Sequence, residues 1–232
     1  VLCEKPIAMN AQELKEAIKV SESTGKLLME ASWNRWHPRT VRIKQLVESG
    51  VIGKITAIDA SFTYDGLDAG NIRTVPELGG GSLYDLGPYS AVAPLWITDF
   101  APIKDISTEV TWHPGGSDET LKATYTIGDV KATILTSMNI PDKITLLITG
   151  TEGTISTGGN DAFVSHNNPS TLIIENKDGK KVEEFAACDP YQLMADSMSR
   201  RIRGGQGWLM PHSDSIAFAN VFDAAFEVMG RP

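Results

Sequence analysis

The feature that most constrains the fold is an alternation of β-branched and polar residues between residues 103 and 185. Turn-forming pairs such as Gly115-Gly116, Gly128-Asp129 and Pro141-Asp142 interrupt it at short intervals. Strands joined by short turns predict a largely antiparallel sheet with one packed face and one more polar, threonine-rich face. The predicted strands are residues 106–112, 121–127, 130–138, 144–149, 172–175 and 182–185.

The first 31 residues instead predict a strand, a helix and a second strand. An apolar run at residues 1–3 ends at Glu4-Lys5-Pro6, Asn10 begins a capping-box pattern, and Gly25 ends the helix before an apolar run at residues 27–29. This βαβ unit is the building block of a parallel sheet, which needs more neighbours than two strands supply. We therefore expect further strands from an upstream segment or from another chain.

Helices account for most of the remainder. We expect one after Pro38 with Val41 on its apolar side, one from Ser82 toward Trp96, and two at the end of the chain, with a strand at residues 54–65. The predicted fold is α+β: a large, mostly antiparallel open sheet with helices on one face, preceded by the βαβ unit. The apolar stripe of the first closing helix is Leu193, Met194, Met198 and Ile202.

Charge and composition exclude several classes of function. The 232 residues carry a net charge of −8, so neither nucleic acid nor an anionic membrane is an expected partner. No apolar run could span a bilayer and no signal peptide is recognisable, so we expect a cytoplasmic protein. Cys3 and Cys188, with four dispersed histidines, support neither a disulfide scaffold nor a metal site.

Lys5 follows the first strand, where the carboxyl ends of parallel strands bind ligands. It could therefore meet a cofactor or a substrate, or it could be a solvated loop lysine. The glycine-rich segment at residues 79–81 precedes Asp85 and Tyr89, which share one face if they lie on a helix. A hydroxyl beside a carboxylate can exchange a proton, but the same pattern also fits a capped helix whose tyrosine packs.

Two tryptophans and an arginine lie together in Trp33-Asn34-Arg35-Trp36-His37-Pro38, just after the second strand. Loops carry binding residues disproportionately, so this segment either binds a ligand or forms a hydrophobic plug. Asp189-Pro190-Tyr191-Gln192 is more typical of a helix start with a packed tyrosine. The chain contains no G-x-G-x-x-G and no G-x-x-x-x-G-K-[ST], so it has no phosphate-cradling loop of its own.

Taken in order, these motifs resemble the family of glucose–fructose oxidoreductases and inositol dehydrogenases. The resemblance spans essentially the whole chain and implies that residues 1–33 end a dinucleotide-binding domain, whereas residues 34–232 form a substrate-binding and oligomerisation domain. It also implies that the glycine-rich first turn lies upstream of residue 1, so the chain is expected to be a truncated product or a fragment. The matching motifs are Val1-Leu2-Cys3-Glu4-Lys5-Pro6, Leu28-Met29-Glu30-Ala31, Gly79-Gly80-Gly81 with Asp85, Gly87 and Tyr89, and Asp189-Pro190-Tyr191-Gln192-Leu193-Met194.

The resemblance implies hydride transfer between a sugar, polyol or diol carbon and NAD or NADP, with NADP the more expected. Tyr89 would be the acid/base, Lys5 would lower its pKa, and Asp85 would orient Lys5. We also expect a cis Lys5–Pro6 bond. The expected cofactor-binding residues are Glu4, Lys5, Pro6 and Arg35. The expected substrate-binding residues are Trp33, Trp36, His37 and Phe62, with Arg35 or His37 at the substrate hydroxyls.

Many relatives carry histidine where this chain has Tyr89; tyrosine resembles the branch with dihydrodiol and NADP-dependent xylose dehydrogenases. A non-catalytic dinucleotide or sugar sensor and an inactive truncated product remain alternatives. The chain alone is expected to bind NADP only weakly, because it lacks the glycine-rich turn. A homodimer through the open sheet face is expected, since Leu135 and Leu147 make that face apolar among its threonines.

Overall fold

The computed structural model describes residues 1–68, 70–164 and 166–230 of the chain. These residues form two sheets, six helices and three short 3-10 turns at Trp33–Trp36, Ile72–Thr74 and Pro76–Leu78. The strands are β1 (Leu2–Cys3), β2 (Met29–Glu30), β3 (Ile55–Asp65), β4 (Ile103–Trp112), β5 (Asp118–Ile127), β6 (Val130–Ser137), β7 (Asn139–Gly150), β8 (Gly153–Ser156), β9 (Ser170–Asn176) and β10 (Gly179–Phe185). The helices are α1 (Ala11–Thr24), α2 (Pro38–Glu48), α3 (Ser82–Leu86), α4 (Ala93–Ile97), α5 (Pro190–Ile202) and α6 (His212–Met229).

The βαβ unit at the start of the chain is confirmed. β1 and β2 pair in parallel, with Leu2 opposite Met29, and α1 connects them. The side chain of Asn10 accepts the main-chain N–H of Glu13, and Gly25 ends the helix in the left-handed conformation that suits glycine. The Lys5–Pro6 bond is cis, as expected. Lys5 therefore leaves the carboxyl end of a parallel strand.

The larger sheet has eight strands in the order β10-β9-β8-β7-β3-β6-β5-β4. All neighbours are antiparallel except β3 and β6, so the mostly antiparallel sheet is confirmed. Two details differ from expectation. The short strand β8 was not predicted, and Pro141-Asp142 lies within β7 rather than in a turn. The register of β3 and β7 shifts between Thr63 and Asp65, and the Thr63 hydroxyl donates to the Pro141 carbonyl.

The helices cover one face of this sheet, as the alternation predicted. On β5 and β6, Leu121, Tyr125 and Ile134 are buried beneath them. α6 contacts β4, α3 contacts β5 and β6, and α2 contacts β9. Leu135 and Leu147 lie on the opposite face, where Leu135 is partly exposed and Leu147 is exposed. The core therefore lies between the sheet and the helices that position α3.

Three helical predictions need correction. The helix expected from Ser82 to Trp96 is two short helices, because the turn after α3 contains Gly87 and Pro88, and proline cannot donate a helical hydrogen bond. Val41 is 47% exposed on α2, which buries Ile43 and Leu46 instead. Leu193 and Ile202 are exposed on α5. Periodicity shows which residues share a side of a helix, but the neighbouring elements decide how wide the buried face of that helix is.

Candidate active site

Lys5 reaches from the end of β1 to α3. Its Nζ donates to the main-chain oxygen of Asp85 at 2.6 Å and to Asp85 Oδ1 at 3.2 Å. The side chain is only 11% exposed, which contradicts the alternative of a solvated loop lysine. An ammonium group has three N–H donors. Within the described chain these two bonds leave one donor of Lys5 for a ligand.

Asp85 is held by two cations. Arg73 Nε donates to Oδ2 at 2.6 Å, and Arg73 Nη2 donates at 3.4 Å to Oδ1, the oxygen that Lys5 also contacts. Burial alone raises the pKa of the Asp85 carboxyl, but the Arg73 hydrogen bond and the charge of Lys5 outweigh it and hold the pKa below its ordinary value. Asp85 is therefore an anion that fixes Lys5.

Tyr89 lies in the turn between α3 and α4 and is 7% exposed. Its hydroxyl accepts a hydrogen bond from Trp33 Nε1 at 3.0 Å. An indole can only donate, so the proton of the Tyr89 hydroxyl is left for an acceptor. Lys5 Nζ lies over the tyrosine ring, 4.9 Å from its centroid. Lys5 is far from Asp85 and Tyr89 in sequence, but the three side chains thus form one cluster.

The prediction that Lys5 lowers the pKa of Tyr89 is wrong. Burial raises the pKa of the Tyr89 hydroxyl above its ordinary value, and the neighbouring Tyr191, Asp85 and Glu4 raise it further, whereas the Trp33 hydrogen bond lowers it. Lys5 directs its hydrogen bonds to Asp85, and the Asp85 charge offsets its own. Tyr89 is therefore a neutral phenol at neutral pH, suited to donating a proton.

Tyr89 opens on a cleft of about 550 Å³, a size typical of small-molecule sites. Phe62 forms part of the wall, as predicted for an apolar substrate contact, and its ring centroid lies 5.3 Å from that of Tyr89. Glu4 lines the opening. We call this space the Tyr89 cleft; it is lined by Glu4, Lys5, Phe62, Tyr64, Ile72, Arg73, Asp85, Leu86, Tyr89 and Tyr191.

Five residues of the cleft were missed from the sequence, and three of them, Tyr64, Arg73 and Tyr191, carry polar groups. Arg73 precedes the glycines, and no periodic signal marks it. Tyr64 lies near the end of β3, two residues after Phe62, so both side chains point to the same face of the strand and both line the cleft. Tyr191 was interpreted as a packed tyrosine; it stacks on Trp33 with centroids 4.5 Å apart and also lines the cleft. Its motif, Asp189-Pro190-Tyr191, was the available signal.

The structure does not bring every predicted residue to the cleft. Trp33 is buried behind Tyr89. Arg35 pairs with Asp214 at 3.5 Å, and Trp36 packs against Trp208. His37 is buried and caps α2, with Nδ1 accepting the main-chain N–H of Arg39. Arg35, Trp36 and His37 are all absent from the cleft lining.

A second cavity of about 560 Å³ adjoins the Tyr89 cleft. Lys5, Arg73, Asp85 and Ile72 line both spaces, and Pro6 lines only the second. Ligands bound in the two spaces would thus meet at Lys5 and Asp85. Among residues 1–68, 70–164 and 166–230, no group of three or more His, Cys, Asp and Glu side chains could hold a metal ion. None of the described helices has the length and apolarity to cross a membrane.

Comparison with known proteins places this chain in a family. Residues 40–156 match the model of the GFO/IDH/MocA C-terminal domain. An uncharacterized oxidoreductase of Rhizobium meliloti is 32% identical over 88% of this chain and 63% of its own length. A trans-1,2-dihydrobenzene-1,2-diol dehydrogenase of Danio rerio is 27% identical over 99% of the chain and 70% of its own. A D-xylose 1-dehydrogenase (NADP(+)) of Haloferax volcanii is 28% identical over 98% of the chain and 70% of its own.

A solved structure shares the fold. A 3-ketoreductase from Actinomadura kijaniata, in complex with NADP and TDP-benzene, superposes with a TM-score of 0.86 at 24% identity, over 98% of this chain and 70% of that one. The chain thus spans about two thirds of the length of the relatives it matches. Since the family model covers half of the chain and relatives align over nearly all of it, the chain belongs to the GFO/IDH/MocA family of oxidoreductases.

Proposed function

We propose that this chain forms the substrate side of an enzyme that transfers a hydride between a nicotinamide cofactor and the carbinol carbon of a sugar, polyol or diol. The observation that carries the proposal is the Tyr89 hydroxyl, which accepts from Trp33 and keeps its own proton for the cleft. A carbonyl oxygen that gains a hydride at its carbon must also gain a proton. Tyr89 supplies that proton in reduction and removes it in oxidation.

The high pKa of Tyr89 favours the reducing direction. The neutral phenol already holds the proton that a carbonyl oxygen gains on reduction, whereas oxidation of an alcohol requires the phenolate to take up a proton. The remaining N–H of Lys5 binds the same substrate oxygen and stabilises the charge that develops on it. Asp85, fixed by Arg73, positions Lys5 and takes no part in proton transfer itself.

The two adjoining cavities fit a reaction between two ligands. The cofactor would supply or accept the hydride when bound, and Lys5, Pro6 and Arg73 of the second cavity would hold its nicotinamide end. Glu4 lines only the Tyr89 cleft and remains a candidate from that side, whereas Arg35 is a weaker one because it pairs with Asp214 outside both cavities. We favour NADP, since the xylose dehydrogenase is named for NADP(+) and the 3-ketoreductase structure is a complex with NADP.

The substrate would lie in the Tyr89 cleft between aromatic walls. Phe62 and Tyr191 provide apolar surface on which the carbon skeleton of a sugar or diol can pack, and Glu4 and Lys5 offer polar groups to its hydroxyls. Trp33 acts through Tyr89, by fixing its hydroxyl, rather than through direct contact. The dihydrodiol and xylose dehydrogenases named among the relatives support substrates of this class.

The test is turnover in the intact gene product that contains this sequence. NADPH absorbance is followed with D-xylose, D-glucose and a cyclic trans-diol, for the native enzyme and for Tyr89→Phe. We expect Tyr89→Phe to lower kcat by about 10²–10⁴-fold, the usual contribution of a general acid. Tyr125→Phe is the matched control, because Tyr125 is equally buried but donates to the Ala91 carbonyl in the core. Normal turnover of Tyr89→Phe would refute the assignment.

We also propose a homodimer through the sheet face that the helices leave uncovered. Leu135 and Leu147 lie on that face, and Leu147 is 37% exposed. Two such faces packed together would remove both from water. Light scattering should give a dimer mass for the native protein and a monomer mass for Leu135→Lys/Leu147→Lys. Val20→Lys, at a 62% exposed position on α1, should leave the mass unchanged. A native monomer at micromolar concentration refutes the dimer.

A further inference from the structure

A buried carboxyl group outside the two adjoining cavities anchors the helix that carries Asp85. Asp118 is the first residue of β5 and is 1% exposed. Its Oδ2 accepts the main-chain N–H of Leu83 at 2.7 Å and the Ser82 hydroxyl at 2.9 Å. Both donors belong to the first turn of α3. The start of this helix is therefore tied to the large sheet.

A second strand supports the same anchor. The Thr136 hydroxyl of β6 lies 2.8 Å from the Ser82 hydroxyl. Because the Ser82 proton goes to Asp118, Thr136 supplies the proton of this second bond. Ser82, Asp118 and Thr136 are all buried. A buried polar group that loses its partner is costly, so these bonds hold the start of α3 firmly.

The helix depends on such contacts because it is short. α3 has five residues, Ser82–Leu86, and so few residues form only a small number of helical hydrogen bonds. A single turn of helix is unstable by itself, since the cost of ordering the backbone exceeds what its own bonds return. The position of α3 is therefore set by what holds its ends.

The glycines before α3 make room for the anchor. A Cβ on Gly81 would overlap Asp118 Oδ1, and the φ of 118° at Gly81 is one that other residues rarely adopt. A Cβ on Gly80 would lie 2.7 Å from the main-chain oxygen of Arg73. The N–H of Gly81 donates to that same oxygen at 2.9 Å. The two glycines thus admit both Asp118 and the turn that carries Arg73.

α3 connects the anchor to the Tyr89 cleft at two points. Asp85, its fourth residue, accepts Lys5 Nζ with its main-chain oxygen and with Oδ1. The main-chain N–H of Tyr89 donates to the oxygen of Leu86, the last residue of α3, at 3.0 Å. A displacement of the helix would therefore move the group that holds Lys5 and would also move Tyr89.

We propose that Asp118 is a positioning residue of the Tyr89 cleft. Asp118 does not line the cleft; it fixes α3, and through α3 it fixes the placement of Lys5 and Tyr89. Its effect on turnover rests on the proposed function, whereas its effect on the position of Tyr89 does not. A displacement of about 1 Å at a reacting group can lower a rate by about 100-fold, so loss of the anchor should lower kcat.

The indole N–H of Trp33 reports the position of Tyr89, because it donates to the Tyr89 hydroxyl. In ¹H–¹⁵N NMR spectra of the intact gene product, Trp33→Phe identifies this signal by its loss. We expect Asp118→Ala to shift the Trp33 N–H signal and to lower kcat by about tenfold or more, with KM within about twofold of the native value. Asp118→Asn keeps a carbonyl acceptor in the same shape and should restore most of both.

Ile155→Ala is the matched control for stability. Ile155 is 1% exposed in β8, so its truncation leaves a cavity in the core without touching α3. Chemical denaturation should show that Ile155→Ala is less stable than the native protein. We expect this variant to keep the native Trp33 signal and the native kcat, because neither depends on the total stability while the protein is folded.

Three results decide the proposal. An unmoved Trp33 signal in Asp118→Ala would overturn it whatever the turnover, and so would equal losses of kcat in Asp118→Ala and Ile155→Ala. If Asp118→Ala does not fold, Ser82→Ala replaces it; this variant removes one of the two hydrogen bonds and must shift the same signal. A shifted Trp33 signal in a gene product that turns over no sugar or diol would support the role of Asp118 and count against the proposed function alone.

Discussion

The two ends of the turn Trp33–Trp36 differ in whether the indole nitrogen has a hydrogen-bond partner among the described residues. At one end Trp33 donates to the Tyr89 hydroxyl, and the charged groups beside it, Lys5 and Asp85, have hydrogen-bond partners within the chain. At the other end Trp36 Nε1 has no partner among the described residues. The cleft is therefore organised before a ligand arrives, as catalysis requires. Trp36 instead packs against Trp208 and lines a different cavity.

This contrast shows why buried polar groups have to be examined atom by atom. Both tryptophans follow the same strand and belong to one motif, and the sequence assigned both to the substrate wall. Their different partners separate a residue that positions the proton donor from one that lines a different cavity. The predictions below test whether the two ends differ as much in energy as they do in geometry.

Removal of Lys5 should have the largest effect. Lys5→Met deletes the cation of the organised end, so we expect kcat to fall by at least about 100-fold, as for loss of a charged donor to a developing oxyanion. Turnover of a substrate that the native enzyme accepts measures this. Lys15→Met, at an exposed position on α1, is the control and should retain native kcat. A Lys5→Met enzyme with native kcat would show that the cluster is only structural.

Glu30 interacts electrostatically with both Lys5 and Arg35, and its carboxyl should make the stability of the fold depend on pH. Burial raises the pKa of its carboxyl to about 7, although Ser215, Lys5 and Arg35 lower it. The native state then holds a proton that the unfolded chain, with an ordinary pKa near 4.5, releases more easily. The stabilisation is complete below about pH 4.5 and is lost as the pH rises through 7.

Glu30→Gln does not titrate, so urea unfolding of both proteins between pH 4 and 8 measures this effect. We expect the native protein to lose up to about 3 kcal/mol relative to the variant over that range. Glu183→Gln is a control of opposite sign, because Arg42 lowers the pKa of Glu183 to about 2 and its contribution is lost only as the pH falls. A flat difference between native protein and Glu30→Gln would contradict the burial of the charge.

Replacing each of the two tryptophans by phenylalanine in turn should have the smallest effect, but it compares the two ends of the turn directly. Trp33→Phe leaves the buried Tyr89 hydroxyl without its donor, so we expect the free energy of unfolding to fall by about 1–3 kcal/mol. Trp36→Phe deletes a donor that has no acceptor in the described part of the chain and should cost less. Chemical denaturation measures both. Equal losses would mean that ring packing, rather than hydrogen bonding, distinguishes the two positions.

Most of the strands could be predicted because their signal is local. Alternation along β5 and β6 follows directly from the two faces of a strand, one of which must be buried. The position of β3 in the sheet could not be predicted, because β3 lies between β7 and β6 rather than beside the strands that follow it in sequence order. β-branched alternation shows that a segment is a strand but not which strand it pairs with. Pro141-Asp142 misled for a related reason: a register shift admits them into β7.

The cluster of Lys5, Asp85 and Tyr89 was predictable only through the resemblance of its motifs to a known family. Sequence spacing alone left a solvated lysine and a packed tyrosine as open alternatives. Arg73 could not be predicted, because its role depends on the approach of one 3-10 turn to α3. The pKa of Tyr89 was predicted with the wrong sign, since proximity of Lys5 was considered without the burial that opposes it.

The sequence by itself determined the α+β class, the βαβ start, the antiparallel sheet and the motifs that indicate the family, because each depends on neighbours along the chain or on one periodic face. Only the tertiary structure decided which polar atoms meet. It gave Trp33 Nε1 a partner and left Trp36 Nε1 without one among the described residues, although both tryptophans precede the same helix. A hydrogen bond depends on distances of a few tenths of an ångström between distant segments, and no local pattern encodes those distances.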